Sequence, residues 1–384
     1  MASNYSPLTI NRKLGANLRA IQTTEIQGED ARQTLGGLLQ SALQLEFATI
    51  PTYLSAAFSL TANGKISDLI LRAAIEEMLH MTAVANLMNA IGTAPDIVAA
   101  VPDYPHHLTV LEPPLQLDLR SFSLDLVKDL FMRIEAPEDP VEFPSLAPAA
   151  EPRTIGQFYA SIIDIIESGK IPGLFDNAVR DAYKQREVRP NFKPIAYLNN
   201  QDTGRYPLKP EIDFRITDKA SAVRHLSWVV DQGEGSAPFD PLTSEGLPGH
   251  YYRFESIIKS RFLVKDENAQ PLGYSFSGGD LPFDPAGVHE FDTNAKIRNY
   301  DAFPTVRRQM KLFNDSYTSM INSLHQAFNC PGPDQQEQAK EAYSQALDTM
   351  RTMPNVATAI IQKAKEKNIK AGVPFEFTGP SPTS

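Results

Sequence analysis

Two long apolar stretches near the start of the chain each carry charged or ionisable groups in their middle. The first, LLQSALQLEFATIPTYL, contains Glu46, and the second, ILRAAIEEMLHMTAVANLMNAIG, contains Glu77 and His80. Apolar residues recur at helical spacing in both, so they predict two consecutive helices that are largely buried. A buried carboxylate costs several kcal/mol of folding free energy unless it is protonated, paired or bound to a metal. The chain must therefore fold so that these groups find partners.

Helical periodicity recurs in blocks that are separated by proline-rich connections, and the 30 prolines cluster outside the blocks. A chain of 384 residues can form one large domain or two ordinary ones. We expect a single all-α domain over residues 1–384, with a helical bundle at about 30–265, long proline-rich inserted loops and extra C-terminal helices at about 305–370. The predicted helical blocks are 30–60, 66–92, 153–168, 218–234, 249–263, 305–328 and 334–369.

Composition and charge narrow the classes of protein that the chain can belong to. The net charge of −10, with no run of Lys or Arg, argues against nucleic-acid binding. The sequence has no stretch of ~18 consecutive apolar residues, so it predicts no membrane span. The N-terminus lacks the apolar centre of a signal peptide, and we therefore expect a cytoplasmic protein. Cys330 is the only cysteine, which excludes an internal disulfide and a metal site made of this chain's cysteines alone.

The first candidate metal ligands lie on the first two predicted helices. Glu46 shares its face with apolar residues, and Glu77 is aligned with the apolar face of the second helix, with His80 about one turn further on. Glu76 lies about 100° away from that face and four residues after Arg72, which predicts a surface ion pair. The Glu-x-x-His pair, together with a glutamate on the preceding helix, is typical of carboxylate-bridged metal bundles. A buried Glu and a core His held by hydrogen bonds are the alternative.

The second half of the chain should supply matching ligands. Glu234 faces inward at the end of its predicted helix, and His250 aligns with the apolar face of the next helix. Asp231 beside Glu234 and Asp164 on the 153–168 block are weaker candidates; Asp164 lies on a face that is typical of solvent exposure.

Two further ionisable residues of this half fall outside the candidate set. His225 projects to the side opposite Glu234, and Glu255 has Lys259 four residues later, a spacing that suits a surface ion pair.

Several of these segments resemble a known family. LQLEFATIPTYLSA, EEMLHMTAVANLMNAIG, IGQFYASI, VVDQGEG and HYYRFESI are similar to the ferritin-like domain of the iminophenyl-pyruvate dimer synthase type, which forms part of large synthases in violacein and indolocarbazole assembly. The closing segments NDSYTSMINSLHQAFN and AYSQALDTMRTM resemble the same family, so the resemblance covers roughly residues 30–365. It implies a ferritin-like bundle whose metal ligands are Glu46, Glu77, His80, Glu234 and His250.

The chain departs from the pattern of a symmetric di-iron site in one respect. Its second half has no literal Glu-x-x-His, so the implied set holds three carboxylates where a symmetric site has four. This leaves a mononuclear or an asymmetric site open. The large pigment synthases are also much longer than this chain, so their dimer-forming activity does not transfer to it by resemblance alone.

The predicted ligand set favours iron, with manganese or zinc as alternatives. We expect a non-haem iron oxidoreductase that uses O₂ to oxidise a small, aromatic or amino-acid-derived molecule beneath the proline-rich loops, and a homo-oligomer is left open. Two alternatives are a non-catalytic, iron-handling ferritin-like protein and a silent scaffold whose polar core residues only fix the register of its helices.

Overall fold

The computed structural model describes residues 9–137, 154–187, 213–234, 240–244, 246–266, 268–269 and 273–379 of the chain. Helices dominate it, as the predicted all-α class requires. In chain order they are α1 (Arg12–Gln22), α2 (Gly28–Ser59), α3 (Gly64–Ala90), α4 (residues 124–134), α5 (Ile155–Ser168), α6 (Lys219–Glu234), α7 (His250–Lys259), α8 (Pro304–Phe328) and α9 (Gln336–Lys367).

The two longest helices of the N-terminal half, α2 and α3, pack along each other at the centre of the fold. Helix α3 is enclosed on all sides over its second half, where every residue from Leu79 to Ala90 is buried. A helix that is apolar around its whole circumference can only be accommodated inside a protein. Helix α2 continues through Pro51, although proline removes one backbone hydrogen bond of a helix.

The second half of the bundle consists of α4 to α7. Helix α4 contains a π-helical turn, Val127–Phe131, between the short α-helical pieces Leu124–Leu126 and Met132–Ile134. Helix α5 packs on α6, while α7 packs against both α4 and α3. The end of α4 and the start of α7 are thereby brought beside the central pair.

The C-terminal helices α8 and α9 form a helical hairpin, because only a short connection separates them and they pack along their length. The hairpin also contacts α2 and α3. Its apolar side chains belong to the same contiguous cluster of buried residues as those of the bundle. One hydrophobic core therefore runs through all the described helices.

The sequence predicted most of these helices but not all of them. Helices α1 and α4 were missed, and α4 falls within a segment interpreted as a proline-rich connection. The described parts of the long connections also contain short antiparallel strand pairs, which the sequence did not predict: Thr9–Ile10 with Leu111–Glu112, His106–Leu108 with Leu115–Leu117, and Val264–Lys265 with Tyr274–Ser275. Among the described helices, none is long and apolar enough to cross a lipid bilayer.

Candidate metal centre

Three carboxylates and two imidazoles converge between α2, α3, α4 and α7. Glu46 comes from the middle of α2, and Glu77 and His80 lie one turn apart on α3. Glu135 directly follows the last helical residue of α4, and His250 is the first residue of α7. Four of the five residues are at most 3% exposed, and the Glu135 side chain is 9% exposed. The cluster is therefore shielded from water.

One half of the cluster consists of Glu46, Glu77 and His80. Nδ1 of His80 lies 3.2 Å from Oε2 of Glu77 and 3.4 Å from Oε2 of Glu46. In each of these residues a ligand atom lies within 4.8 Å of the others, so a single ion could contact all three. Because Glu77 and His80 are three residues apart on one helix, the helix itself sets the spacing of this pair.

The other half uses the second oxygen of the same glutamate. Oε1 of Glu77 lies 2.9 Å from Nδ1 of His250, and this nitrogen is 3.5 Å from Oε2 of Glu135. These three residues also place ligand atoms within 4.8 Å of one another. Glu77 thus faces both histidines, one with each oxygen, as a carboxylate that bridges two metal ions does.

The outer nitrogen of each histidine has a hydrogen-bond partner, but the two partners differ. Nε2 of His80 lies 3.0 Å from the amide oxygen of Gln232 on α6. Nε2 of His250 lies 2.9 Å from Oε2 of Glu76, whose charge is paired with the guanidinium of Arg253. If each Nε2 donates its proton outward, each Nδ1 can present a lone pair to the cluster.

Two buried tyrosines complete the two halves. The hydroxyl of Tyr159, on α5, donates a hydrogen bond to Oε1 of Glu46. The hydroxyl of Tyr53, on α2, donates to Oε1 of Glu135 at 2.5 Å. Each outer carboxylate is therefore held by one phenol, which leaves its other oxygen directed toward a histidine.

The pKa values show that the cluster holds extra protons when no cation is bound. Burial and the neighbouring carboxylate of Glu77 raise the pKa of Glu46 to about 8. Burial lowers the pKa of His80, but the carboxylates of Glu77 and Glu46 outweigh it and raise that pKa to about 10. Without a cation, the cluster compensates by keeping protons on these groups at neutral pH. Metal binding requires the proton on Nδ1 to leave.

The donor atoms fit a divalent cation of the iron, manganese or zinc type. Among the described residues, no hydrogen bond of good geometry reaches Nδ1 of His250, although the nitrogen is completely buried. A buried nitrogen seldom lacks a partner, and a metal ion would supply one. Carboxylate oxygens with two imidazole nitrogens suit these metals better than copper, which prefers more nitrogen or sulfur ligands.

A small pocket adjoins the Glu46 side of the cluster. It encloses about 30 Å³ and is lined by cluster residues together with apolar side chains of α4, α5 and α6, namely Ile134, Ile155, Val229 and Val230. Trp228, the chain's only tryptophan, lies nearby with its ring edge-on to His80 at a centroid distance of 5.3 Å. A molecule in this pocket would contact the cluster.

The structure brings together four of the five predicted ligands: Glu46, Glu77, His80 and His250. Glu234 is the last residue of α6, and its side chain lies outside the described residues. The two weaker candidates do not reach the cluster. Asp231 accepts hydrogen bonds from Ser244, and Asp164 is exposed on α5.

The predicted surface position of Glu76 is wrong. Its side chain is 3% exposed and bonds to both His250 and Arg253. Burial raises the pKa of Glu76, but the two positively charged or hydrogen-bonding partners outweigh burial and lower this pKa to about 2. The helical-wheel argument assumed one buried face, whereas α3 is covered on several sides.

The cluster residue that the sequence argument missed is Glu135. Its segment, SLDLVKDLFMRIE, has apolar residues at helical spacing, with Leu124, Val127 and Phe131 leading to Glu135. Ser123 precedes it as an N-cap whose hydroxyl accepts from the Leu126 N–H. That signal was present, but the surrounding prolines and acidic residues concealed it.

A helical bundle that holds glutamates and histidines in its core, with a glutamate facing both histidines, has the arrangement of the ferritin-like metalloproteins. Residues 39–259 match the family model described as ferritin-like, and the chain belongs to that family.

Individual relatives are distant. The chain is 24% identical over 362 residues to dichlorochromopyrrolate synthase from Lentzea aerocolonigenes, a match that covers 83% of this chain and 33% of the relative. The chain thus spans about a third of that relative's length. A crystal structure of a ferritin-like protein from Caulobacter vibrioides shares 19% identity with it, at a TM-score of 0.47, over 90% of this chain and 97% of the other.

Proposed function

We propose that the chain is a non-haem iron oxidoreductase that uses O₂ to oxidise a small, aromatic or amino-acid-derived molecule. The observation that carries this proposal is the position of Glu77, which faces His80 with one oxygen and His250 with the other in a buried cluster. Two ions fit this arrangement, one held by Glu46, Glu77 and His80 and the other by Glu77, Glu135 and His250. Glu234 remains a further candidate ligand. Bound ferrous iron would supply the electrons that reduce O₂.

The residues around the cluster have separate tasks in this proposal. Tyr159 and Tyr53 hold protons against the outer carboxylates and fix which oxygen faces inward. Gln232 and Glu76 orient the two imidazoles through their Nε2 atoms. The side chains of Ile134, Ile155, Val229 and Val230 exclude water from the pocket on the Glu46 side, where we place the substrate.

The synthase relative supports an enzyme of small-molecule metabolism in general terms, since its name describes the synthesis of an organic compound. Its substrate is not carried over, because the match covers only 33% of that protein. We infer a substrate of aromatic or amino-acid type from the resemblance of the sequence motifs.

Oxygen uptake tests the proposal directly. The full chain is loaded anaerobically with Fe(II), and O₂ consumption is followed with an electrode, alone and with indole or aromatic amino-acid derivatives. We expect substrate-dependent uptake and an oxidised organic product. Glu77→Gln should abolish both, whereas Glu255→Gln, which changes a glutamate paired with Lys259 outside the cluster, should retain them.

Other outcomes point to other functions. Slow, substrate-independent oxidation that ends in a ferric mineral would favour the iron-handling alternative. Stoichiometric zinc in the protein as purified, together with no uptake of O₂ after loading with iron, would overturn the oxidoreductase proposal.

A further inference from the structure

A second cavity lies on another side of α2 and α3, between these helices and the C-terminal hairpin. It encloses about 70 Å³, several times the ~10–15 Å³ that one water molecule needs on the same measure. Phe47 and Met78, which immediately follow Glu46 and Glu77 in sequence, form part of its wall. The same two helices therefore carry the metal cluster on one face and the cavity on another.

Methionine is concentrated in the wall of this cavity. The chain has nine methionines, and five of them line it: Met78, Met81, Met320, Met350 and Met353. An unbranched thioether changes rotamer at low cost and is polarisable, so it adapts to guests of different shape and contacts aromatic rings favourably. Phe47, Phe58 and Phe375 supply aromatic surface to the same wall.

Two prolines lie in the helices that border the cavity. Pro51 lies inside α2 and Pro354 inside α9. Each removes the backbone hydrogen bond to the carbonyl four residues earlier, and its ring crowds that carbonyl. The two residues affected are Phe47 and Met350, and both line the cavity. The cavity therefore lies beside the carbonyl groups whose helical hydrogen bonds these prolines remove.

A residue that lines the cavity, Tyr317, carries a hydroxyl group without a partner among the described residues. Tyr317 lines the cavity and is 1% exposed, and within the described part of the chain its hydroxyl makes no hydrogen bond. Burial alone raises its pKa, so the phenol is neutral and able to donate a proton. A buried hydroxyl without a partner is costly, and a guest that offers an acceptor would remove that cost.

We propose that this cavity is a second binding site, for a small aromatic molecule that carries one oxygen atom able to accept a hydrogen bond from Tyr317. The ring packs among the methionines and phenylalanines, and its oxygen meets the tyrosine hydroxyl. The nearly complete absence of charge in the wall favours neutral guests, with Arg351 only at the rim. The site is independent of the metal, since none of the cluster residues lines it.

Methyl NMR of the full chain with labelled methionine provides the test, with phenol as the probe. We expect phenol to shift the signals of the five cavity methionines and to leave those of Met88, Met132 and Met310 in place. Shifts centred on Met132, which lies on α4 beside the metal cluster, would show that phenol binds there instead and would overturn the proposal. No shift of the five cavity methionines at millimolar phenol would also overturn it.

Three variants sharpen the test by calorimetry. Tyr317→Phe should weaken phenol binding about three- to tenfold and leave toluene binding unchanged, because only phenol can accept the lost hydrogen bond. Leu71→Trp fills the cavity and should abolish binding of both probes, whereas Leu312→Trp, on an exposed position of α8, should not. Equal loss of phenol and toluene in Tyr317→Phe would contradict the assigned role of its hydroxyl.

Discussion

The two halves of the carboxylate–histidine cluster share a geometry but differ in electrostatics. Each half has an outer glutamate held by a tyrosine and a histidine that presents Nδ1 to the shared Glu77. Behind the histidines, however, His80 meets a neutral amide while His250 meets an ionised carboxylate. The glutamates and histidines of the cluster would by themselves predict two equivalent positions for metal ions. The hydrogen-bond partners behind the two histidines make these positions different.

This difference between the two histidines predicts which half of the cluster binds its ion more tightly. A carboxylate that accepts the outer N–H of a histidine raises the basicity of the metal-binding nitrogen more than an amide does. Arg253 moderates this effect by pairing with Glu76, and it also keeps Glu76 ionised. We therefore expect the Glu77–Glu135–His250 half to bind its ion more tightly.

The largest expected effect concerns the residue common to both halves. Glu77→Gln should remove both metal ions, because each half loses its shared carboxylate. Glu135→Gln should remove only the ion held with His250. Metal analysis of the purified variants measures this difference. One ion remaining in Glu77→Gln would show that the halves do not share this ligand.

Next in size is the stability of the metal-free protein. Glu76→Ala leaves the buried guanidinium of Arg253 without its carboxylate partner, although its hydrogen bond to the Pro248 carbonyl remains, and should cost about 3–5 kcal/mol of unfolding free energy. Gln232→Ala removes only a neutral hydrogen bond and should cost about 1 kcal/mol. Urea denaturation followed by circular dichroism gives both values, and equal losses would remove the proposed asymmetry.

Metal affinity should respond to subtler changes of the same two partners. Glu76→Gln retains an acceptor but not the charge, and it should weaken the tighter site by about 10–100-fold. Gln232→Leu should weaken the other site less. Titration of Fe(II) against a competing chelator separates the two classes of site, and a larger effect of Gln232→Leu would reverse the assigned order.

The smallest expected effect is a dependence of stability on pH. In the metal-free protein the pKa of Glu46 is raised from 4.5 to about 8 and that of His80 from 6.5 to about 10, so the folded state binds more protons than the unfolded state. Stability should therefore fall as pH rises through this range, on the order of 1–2 kcal/mol between pH 7 and pH 8.

Two controls accompany this pH prediction. Glu46→Gln should reduce the pH dependence, since it removes one of the groups whose pKa is raised in the folded state. Unfolding at constant temperature across the pH range measures the effect, and rising stability over the same interval would contradict it. The metal-loaded protein should show little dependence, because a cation replaces the protons.

The sequence predicted a cluster residue correctly where its position depends only on the spacing within one helix. Glu77 and His80 are local, since the spacing along α3 places them together whatever surrounds the helix. The burial of Glu76 is not local, because it depends on α7 covering a second side of α3 and bringing Arg253 with it. No wheel drawn on one helix contains that information.

Glu135, which the sequence argument missed, shows a second limit of prediction from the sequence. Glu135 follows a helix with a π turn at Val127–Phe131, in which the angle per residue differs from that of an α-helix. A wheel with 100° per residue nevertheless places Glu135 on the face of Leu124 and Phe131, so the obstacle was to recognise a helix in a segment interpreted as a proline-rich connection. The outer partner Gln232 was beyond reach for a simpler reason: a neutral amide gives no sign in the sequence that it will meet a histidine on another helix.

The ring of Trp228 beside His80 can report metal binding at this histidine through its fluorescence. Because the chain contains a single tryptophan, its tryptophan fluorescence comes from one indole, placed edge-on to an imidazole of the cluster at a centroid distance of 5.3 Å. A paramagnetic ion bound to that imidazole should quench the emission, while an ion confined to the His250 side should do so more weakly. The order in which the two positions bind metal can thus be observed in the unlabelled protein, as the decrease in tryptophan fluorescence during a titration with the metal ion.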